Sequence, residues 1–578
     1  MADHDPRDTL ADSIEQGRRL IRLGGDKGLS LAERLAERLH RLAWRTPIHG
    51  MRLNGKHPLK LIAVPDDPIF GDVSRGAALL EGWVDLRGEL LPLAGIDFAR
   101  LDVSPAIADY LHSFTWLRDL SSVATRARGA PIAEALMRAW LAQHGEKVSD
   151  PAWRADLLGR RIMFWSAHAP LILSSADLVY RSAVLNAMAR GARHLDRAVE
   201  KLPPGTGRVA GWCGVTMAGL MIAGGEPRQK GGEAGLQRAL AASVFADGGS
   251  VQRSGIAQLD LIALLTTLRE GYAARRLDPP AFVAETLAKL VPALLGLMHG
   301  DRALSSWQGG GPLTTDIIAA VIDASGVRTR PLRQARDWGY QRMSAGTSVL
   351  IMDAAPPPVA RLIEGGCGST LAFEFSDGPQ RLIVNCGGAR AVVAKLPAKL
   401  AEGLRTTAAH STLIVGDSNS TAIHADGTLG KGVSEVELSR QESETSSRIE
   451  ASHDGYARRF GFVHRRQLVL TSDGRDLRGD DMLLPAGRKS RRGATPFVVR
   501  FHLGLGVEAT PTSDGMAALL RVPGGALWQF RCRGGTLAID DSLWVDGAGV
   551  PQPTKQLVIV GESPAGGASV SWVLKRAR

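Results

Sequence analysis

The chain has 578 residues, with 70 lysines and arginines against 59 acids, a net charge of +11 and four cysteines. That length calls for two or three domains. Cys213, Cys367, Cys386 and Cys532 are scattered with no CxxC pair, which argues against a disulfide framework or a cysteine metal site and for reduced, buried thiols. The excess of positive charge points to an anionic partner or to an arginine-rich composition alone. The densest basic run is only "GRKSRRG" (487–493), and no helix-turn-helix, RRM or zinc-finger pattern is present, which argues against nucleic acid.

The opening residues "MADHDPRDTLADSIEQ" are polar and acidic, without the basic start and apolar run of a secretory signal. The apolar stretch "LVPALLGLM" is too short to cross a membrane. The expected location is therefore the cytoplasm, with the periplasm as the alternative and no membrane partner; a homodimer is compatible with the sequence. From there the period is helical. "SLAERLAERLHRLAWR" puts Leu31, Leu35, Leu39 and Leu42 on one stripe behind an N-capping Ser30. "ALMRAWLAQH", "DLVYRSAVLNAMARGARHLDRAV", "GLQRALAASVF", "LDLIALLTTLREGYAARRL" and "AFVAETLAKLVPALLGLM" follow, separated by Gly- and Pro-rich loops such as "KLPPGTG" and "WQGGGP". Paired helices joined this way suit an α/α barrel or toroid.

Near residue 335 the period switches to two. "TSVLIMD", "LAFEFSD", "RLIVNCG", "STLIVGD", "SEVELSR", "RRQLVLTSDG", "FVVRFHLG", "LVIVGE" and "SVSWVLKR" are short, β-branched and punctuated by Gly, Asp and Ser. Many such strands without intervening helices predict an antiparallel β-sandwich. The expected organisation is an incomplete (α/α) toroid over 1–335 carrying a substrate groove, followed by an antiparallel sandwich over 336–578.

Against that background "YLHSFTWLRDL", "DGGSVQRSG", "HGDRALSSWQGGGP", "GYQRMSAG", "TTAAHSTLIVGDSNS" and "HDGYARRFGFVHRRQLVLTSDG" together resemble the heparinase II/III group of polysaccharide lyases. The "AHSTL" and "HDGY…HRR" blocks are the most specific. The resemblance implies a toroid capped by a sandwich that lends residues to the site, an acidic oligo- or polysaccharide substrate, cleavage by β-elimination, and no redox or nucleotide cofactor. It also raises a structural zinc in the sandwich, which no HxH or CxxC in this sequence supports.

Elimination needs groups that neutralise the uronate carboxylate, a base for the α-proton and an acid for the leaving oxygen. His410, in "TTAAHSTLIV", precedes an apolar strand, so its ring can project from the sandwich edge toward the groove. The alternative is a histidine satisfied by backbone hydrogen bonds at a strand start. Tyr456 is expected to lie across a hairpin from His464, able to donate to the leaving oxygen, with Arg465 or Arg466 meeting anionic sugar. Tyr340, at the start of the first strand after the linker, is a candidate base by position, and Tyr272 is another if Arg275 and Arg276 depress it.

The loop "DGGSVQRSGIAQ" departs from the lyases it resembles. Ser250 stands where they often carry His, and Ile256 and Gln258 stand in the region of their Tyr and His. Arg253 and Gln252 remain to meet a carboxylate, with Ser250 beside them, so the loop reads as a glycan-binding loop whose proton-transfer part has moved or been lost. His112 and Trp116, taken as one helix face, and Trp212 and Asn385 complete the candidate sugar contacts, with core packing as the equal alternative. Three functions follow: a lyase on a uronate-containing glycan, a lyase-like glycan-binding protein without turnover, or a toroid glycoside hydrolase using two carboxylates such as Asp247 and Glu270.

Overall fold

A computed structural model describes residues 14, 16–22, 43–44, 46–58, 60–363, 365–392, 396–487 and 493–577. Most of the helix expected over 30–45 and most of the basic run at 487–493 lie outside these residues. The helical half contains α1 (Pro47–Arg52), α2 (Val73–Leu80), α3 (Pro105–Ser113), α4 (Trp116–Val123), α5 (Arg126–His144), α6 (Ala155–Ala167), α7 (Ala169–Ile172), α8 (Leu178–Ala198), α9 (Thr206–Met221), α10 (Glu226–Ser243), α11 (Gly255–Ala274), α12 (Ala281–Gly296) and α13 (Thr315–Ser325). Side-chain caps start several of them: Asp72, Ser104 and Asp177 accept from backbone N–H groups of the first turn. Helix α9 is apolar almost throughout and is wrapped by α6, α8, α10 and α11. It lies so close to α6 that a Cβ on Gly159 would sit 2.2 Å from the Ala210 carbonyl oxygen, and one on Gly214 2.5 Å from Gly159 Cα. Among the described residues no helix is long and apolar enough to cross a membrane.

The remaining strands are β1 (Gly17–Arg22), the hairpin β2 (Trp83–Leu86) and β3 (Glu89–Pro92), and β4 (Tyr340–Ala345) through β19 (Ala568–Arg576). Strands β4–β8 are Tyr340–Ala345, Ser348–Asp353, Phe373–Asp377, Gln380–Val384 and Leu413–Val415. Strands β9–β13 are Glu435–Glu442, Ser446–His453, Phe462–Thr471, Asp476–Pro485 and Thr495–Leu503. Strands β14–β18 are Glu508–Pro511, Ala517–Arg521, Leu527–Arg533, Thr536–Val545 and Pro551–Ser563. They build two antiparallel sheets, ordered β1-β9-β10-β11-β12-β19-β16-β15-β14 and β17-β18-β13-β7-β6-β5-β4, with β8 added to β13. Strict alternation drives the pairing: every second residue of β11 is buried. Between the sheets Phe373 stacks on Trp572 at 5.6 Å, beside Phe501 and Phe530.

The toroid-then-sandwich order agrees with the sequence, with one exception. β1 is a six-residue strand that pairs with β9 from Gly17↔Arg440 to Arg22↔Glu435, so the N-terminal segment completes the sandwich rather than the toroid. Its "GRRLIR" sequence carries only two apolar side chains, as an edge strand needs.

Candidate functional site

The two halves meet across a buried polar seam. At its centre Arg253, in the left-handed region at φ 51°, turns its side chain away from solvent and into the sandwich. Its Nε donates to Trp338 O at 2.8 Å, Nη1 to Pro356 O at 2.6 Å and Nη2 to Asp353 Oδ1 at 2.6 Å, while Tyr340 Oη donates to Arg253 O at 2.6 Å. Nearby, Arg381 binds Glu374 at 3.0 Å and Asp301 at 2.8 Å, and Asn385 Nδ2 donates to Glu374 Oε1 at 3.1 Å. Asp247 accepts from the backbone N–H groups of Asp337 and Trp338. The seam absorbs several of the residues the sequence assigns to sugar.

Arg253 is therefore not a groove residue: burial opposes its charge, and the Asp353 carboxylate beside it more than compensates, holding it cationic. Burial, and Asp353 beside it, lift the Tyr340 hydroxyl far above the usual tyrosine range, the Arg253 charge notwithstanding. Ser250 is buried, with its N–H held by Gln258 Oε1 at 2.9 Å, and Gln258 Nε2 donates to Gly248 O and Leu290 O, stapling the loop shut. Asn385 spends its carbonyl on Ser411 N at 2.9 Å.

The His410 ring does not project into an opening. It is 2% exposed, and Nδ1 lies 2.7 Å from Thr406 O, the backbone-satisfied arrangement. Burial lowers its pKa, so it is neutral. Tyr456 is not across the hairpin from His464 either. It starts the connecting turn helix (Ala457–Phe460), and the residue opposite His464 is His453. Tyr456 Oη donates to Leu413 O at 2.9 Å, and burial raises its pKa.

His464 Nδ1 lies 3.3 Å from His453 Nε2 and its Nε2 2.8 Å from Asp481, which Arg466 also binds at 2.7 Å. Among the described residues no group of three or more His, Cys, Asp or Glu is placed to hold a metal. Arg465 sits on the outer side of β11, 3.8 Å from Glu450. His112 and Trp116 do not share a helix face, because Phe114 at φ 62° breaks the segment into α3 and α4. His112 Nδ1 accepts from Trp140 Nε1 at 3.1 Å, and Trp116 packs on Phe114 at 5.3 Å. Trp212 lies flat on Gly235 of α10, where a Cβ would be 2.4 Å from its ring. Tyr272 donates to Glu233 at 2.8 Å, and burial and that carboxylate raise it.

The open site is elsewhere along the same junction. A groove of about 920 Å³ runs between the toroid's inner rim and the loops of the sandwich. Gln252 is the single predicted site residue that lines it. Its Oε1 accepts from Thr206 N at 3.0 Å, capping α9, which leaves its amide group for the groove. The walls carry six arginines (Arg87, Arg154, Arg160, Arg208, Arg361 and Arg390) against Asp109, Asp156 and Asp260.

The aspartates are taken: Arg160 binds Asp260 through both guanidinium nitrogens, one at 2.7 Å, and Arg154 binds Asp109 at 3.0 Å and Asp156 at 2.6 Å. Among the described residues Arg208 donates to the carbonyls of Leu202 and Glu200 and pairs with no carboxylate. The field in the groove is accordingly positive. Among the described residues the lining holds no histidine, lysine or glutamate, and its one tyrosine, Tyr110, donates to Asp119 at 2.7 Å and is raised far above the usual range by burial and that carboxylate. These arginines share no sequence motif: Arg160 lies in α6, Arg208 in the first turn of α9, and the other four in loops and turns.

Fold and groove together define a toroid-and-sandwich protein with an arginine-lined cleft at the junction. The heparinase II/III-like C-terminal family model matches residues 327–573. FtsZ-localized protein C of Caulobacter vibrioides is 30% identical over 547 residues, covering 92% of each chain. The chain belongs to the heparinase II/III-like family. Solved structures share the fold at low identity. Heparinase III superposes with a TM-score of 0.66 at 12% identity over 96% of this chain and 93% of that one. The heparan sulfate lyase HepC of Pedobacter heparinus gives 0.57 at 13% identity over 87% of this chain and 82% of that one, and a mutant of it gives 0.58 at 12% over the same shares.

Proposed function

We propose that this protein binds an acidic oligosaccharide in the groove between toroid and sandwich. One observation carries the reading: a sugar-sized cleft at the domain junction in which arginines outnumber aspartates and every aspartate is already paired. A polyanionic chain gains there from charge-assisted hydrogen bonds to arginine. Titration with uronate oligosaccharides tests it; the expected result is saturable binding that weakens with salt, and no binding across a carboxylated and sulfated panel would overturn it.

Membership of a family whose solved relatives include polysaccharide lyases supports a second reading, β-elimination from a uronate in the same groove. Arginine would neutralise the uronate carboxylate. The buried, neutral His410 and the raised Tyr340, Tyr456 and Tyr110 favour binding over turnover. Ultraviolet absorbance of an unsaturated product separates the two. Binding alone predicts silence from wild type and His410→Ala, with binding intact in both. A hydrolytic reading gains little, since the groove aspartates are locked to arginine and Asp247 caps backbone. A location close to FtsZ is also proposed, on the name of the relative alone; a fluorescent fusion that never gathers with FtsZ would refute it.

A further inference from the structure

Arg160 and Arg161 are neighbours in α6 with opposite surroundings. Arg160 reaches the groove and binds Asp260 at 2.7 Å. Arg161 points into the interior of the toroid, is 1% exposed, and among the described residues meets no carboxylate. Its Nη1 donates to His112 O at 2.9 Å and to Ala152 O at 2.8 Å, while Nε and Nη2 are buried without an acceptor. The guanidinium carbon lies 4.3 Å from the centre of the Trp140 ring and 5.6 Å from that of Trp165. Burial alone draws its pKa down to about 9, so the group still carries its charge at neutral pH.

The surroundings supply further donors and no counter-charge. Trp140 Nε1 is spent on His112 Nδ1 at 3.1 Å and Trp153 Nε1 on His144 O at 2.9 Å, but Trp165 Nε1 is buried without a partner. Burial, with the Arg161 charge adding to it, lowers both His112 and His144, so these rings are neutral. Phe114, Trp140 and Trp165 meet edge to face, with ring planes at 79° to 87°. Aromatic edges are positively polarised. A full cation, unspent N–H groups and ring edges thus share one interior, and a buried charge of this kind is costly until an opposite charge meets it.

We infer that the toroid interior binds one chloride ion against Arg161 Nε and Nη2, with the Trp165 indole N–H as a further donor. A halide suits the place because a single spherical atom accepts from several N–H groups at once, whereas a sulfate or a sugar acid would demand room that a packed core does not give. The ion steadies the guanidinium that already joins α6 to α3 through the His112 carbonyl and to α5 through the Trp140 ring. The site lies apart from the groove, and no oligosaccharide takes part in it.

Thermal and urea unfolding of the full chain in sodium chloride, bromide and gluconate at equal ionic strength test it, since screening is then the same in all three. An ion that binds the folded state alone shifts the equilibrium by mass action, so chloride at about ten times its dissociation constant should lower the unfolding constant about elevenfold and then saturate. Bromide should act likewise, and gluconate, too large to enter, should not. Arg161→Met should abolish the response, and Trp165→Phe, which keeps a ring but removes the N–H, should weaken it. Anomalous scattering from a bromide-soaked crystal of the wild type should show a peak beside Arg161, a result that does not depend on either variant folding. Equal stability in chloride and gluconate, a halide response that both variants retain, or a water beside Arg161 with no bromide peak would each overturn the inference.

Discussion

Arg253→Ala removes the centre of the seam between toroid and sandwich. In the wild type the Arg253 and Asp353 side chains are 4% and 0% exposed, and the guanidinium also serves the carbonyls of Trp338 and Pro356. Truncation leaves a carboxylate buried without its cation and two carbonyls without donors. Removing one partner of a buried pair costs about 3–5 kcal/mol, so a loss near 4 kcal/mol is expected. Urea denaturation followed by tryptophan fluorescence reads it, because Trp338 and Trp307 flank the seam and report its opening. The paired change Arg253→Met with Asp353→Leu should be less destabilised than Arg253→Ala alone, since no orphan charge remains. A single-variant loss below about 1 kcal/mol, set against that range, would refute the reasoning.

Three further outcomes follow from the same structure. Gly249→Ala places a methyl 2.1 Å from Trp338 Cγ, so overpacking should cost about 1–3 kcal/mol, read as a lower thermal midpoint. Tyr456→Phe removes the hydroxyl bonded to Leu413 O and should cost about 1 kcal/mol with no change in oligosaccharide affinity. Stability should also fall on acidification. Burial lowers His112, His194 and His502 to about 3, so each stays neutral when folded but takes up a proton when unfolded below its ordinary value of 6.5. The unfolded chain then binds more protons, and each group removes about 1.4 kcal/mol per pH unit between those values. Thermal midpoints from pH 7 down to pH 4 measure the slope; a flat profile would contradict the burial of these rings.

Periodicity made most of the fold legible. Helices α8, α11 and α12 and strands β5, β11 and β19 were visible as 3.6- and two-residue patterns, because each buries one face against a continuous core. The N-terminal β1 and the strands from Glu508 to Val545 were not seen: β1 and β14 are edge strands with few apolar residues, and in β16 Gln529, Arg531 and Arg533 alternate with the buried Trp528, Phe530 and Cys532. The break at Phe114 was hidden as well: a left-handed residue in the middle of an apolar run leaves no compositional mark.

The site was less legible for a physical reason. Histidine, tyrosine and tryptophan draw attention in sequence, yet here His410, Tyr340, Tyr456 and Trp212 are consumed by packing and by backbone carbonyls. The groove is lined by arginines from six separate positions, Arg87, Arg154, Arg160 and Arg208 from the helical half and Arg361 and Arg390 from the sandwich half, which only the tertiary fold brings together. Gln252 was found because it shares a loop with the family-like "DGGSVQRSG" block.

The most direct measurement is a crystal structure of the full chain with an acidic tetrasaccharide. The account predicts sugar lying along the groove, with anionic groups against arginines from both halves and the Gln252 amide beside them. Sugar bound to another surface, with the groove unoccupied at saturating ligand, would contradict it.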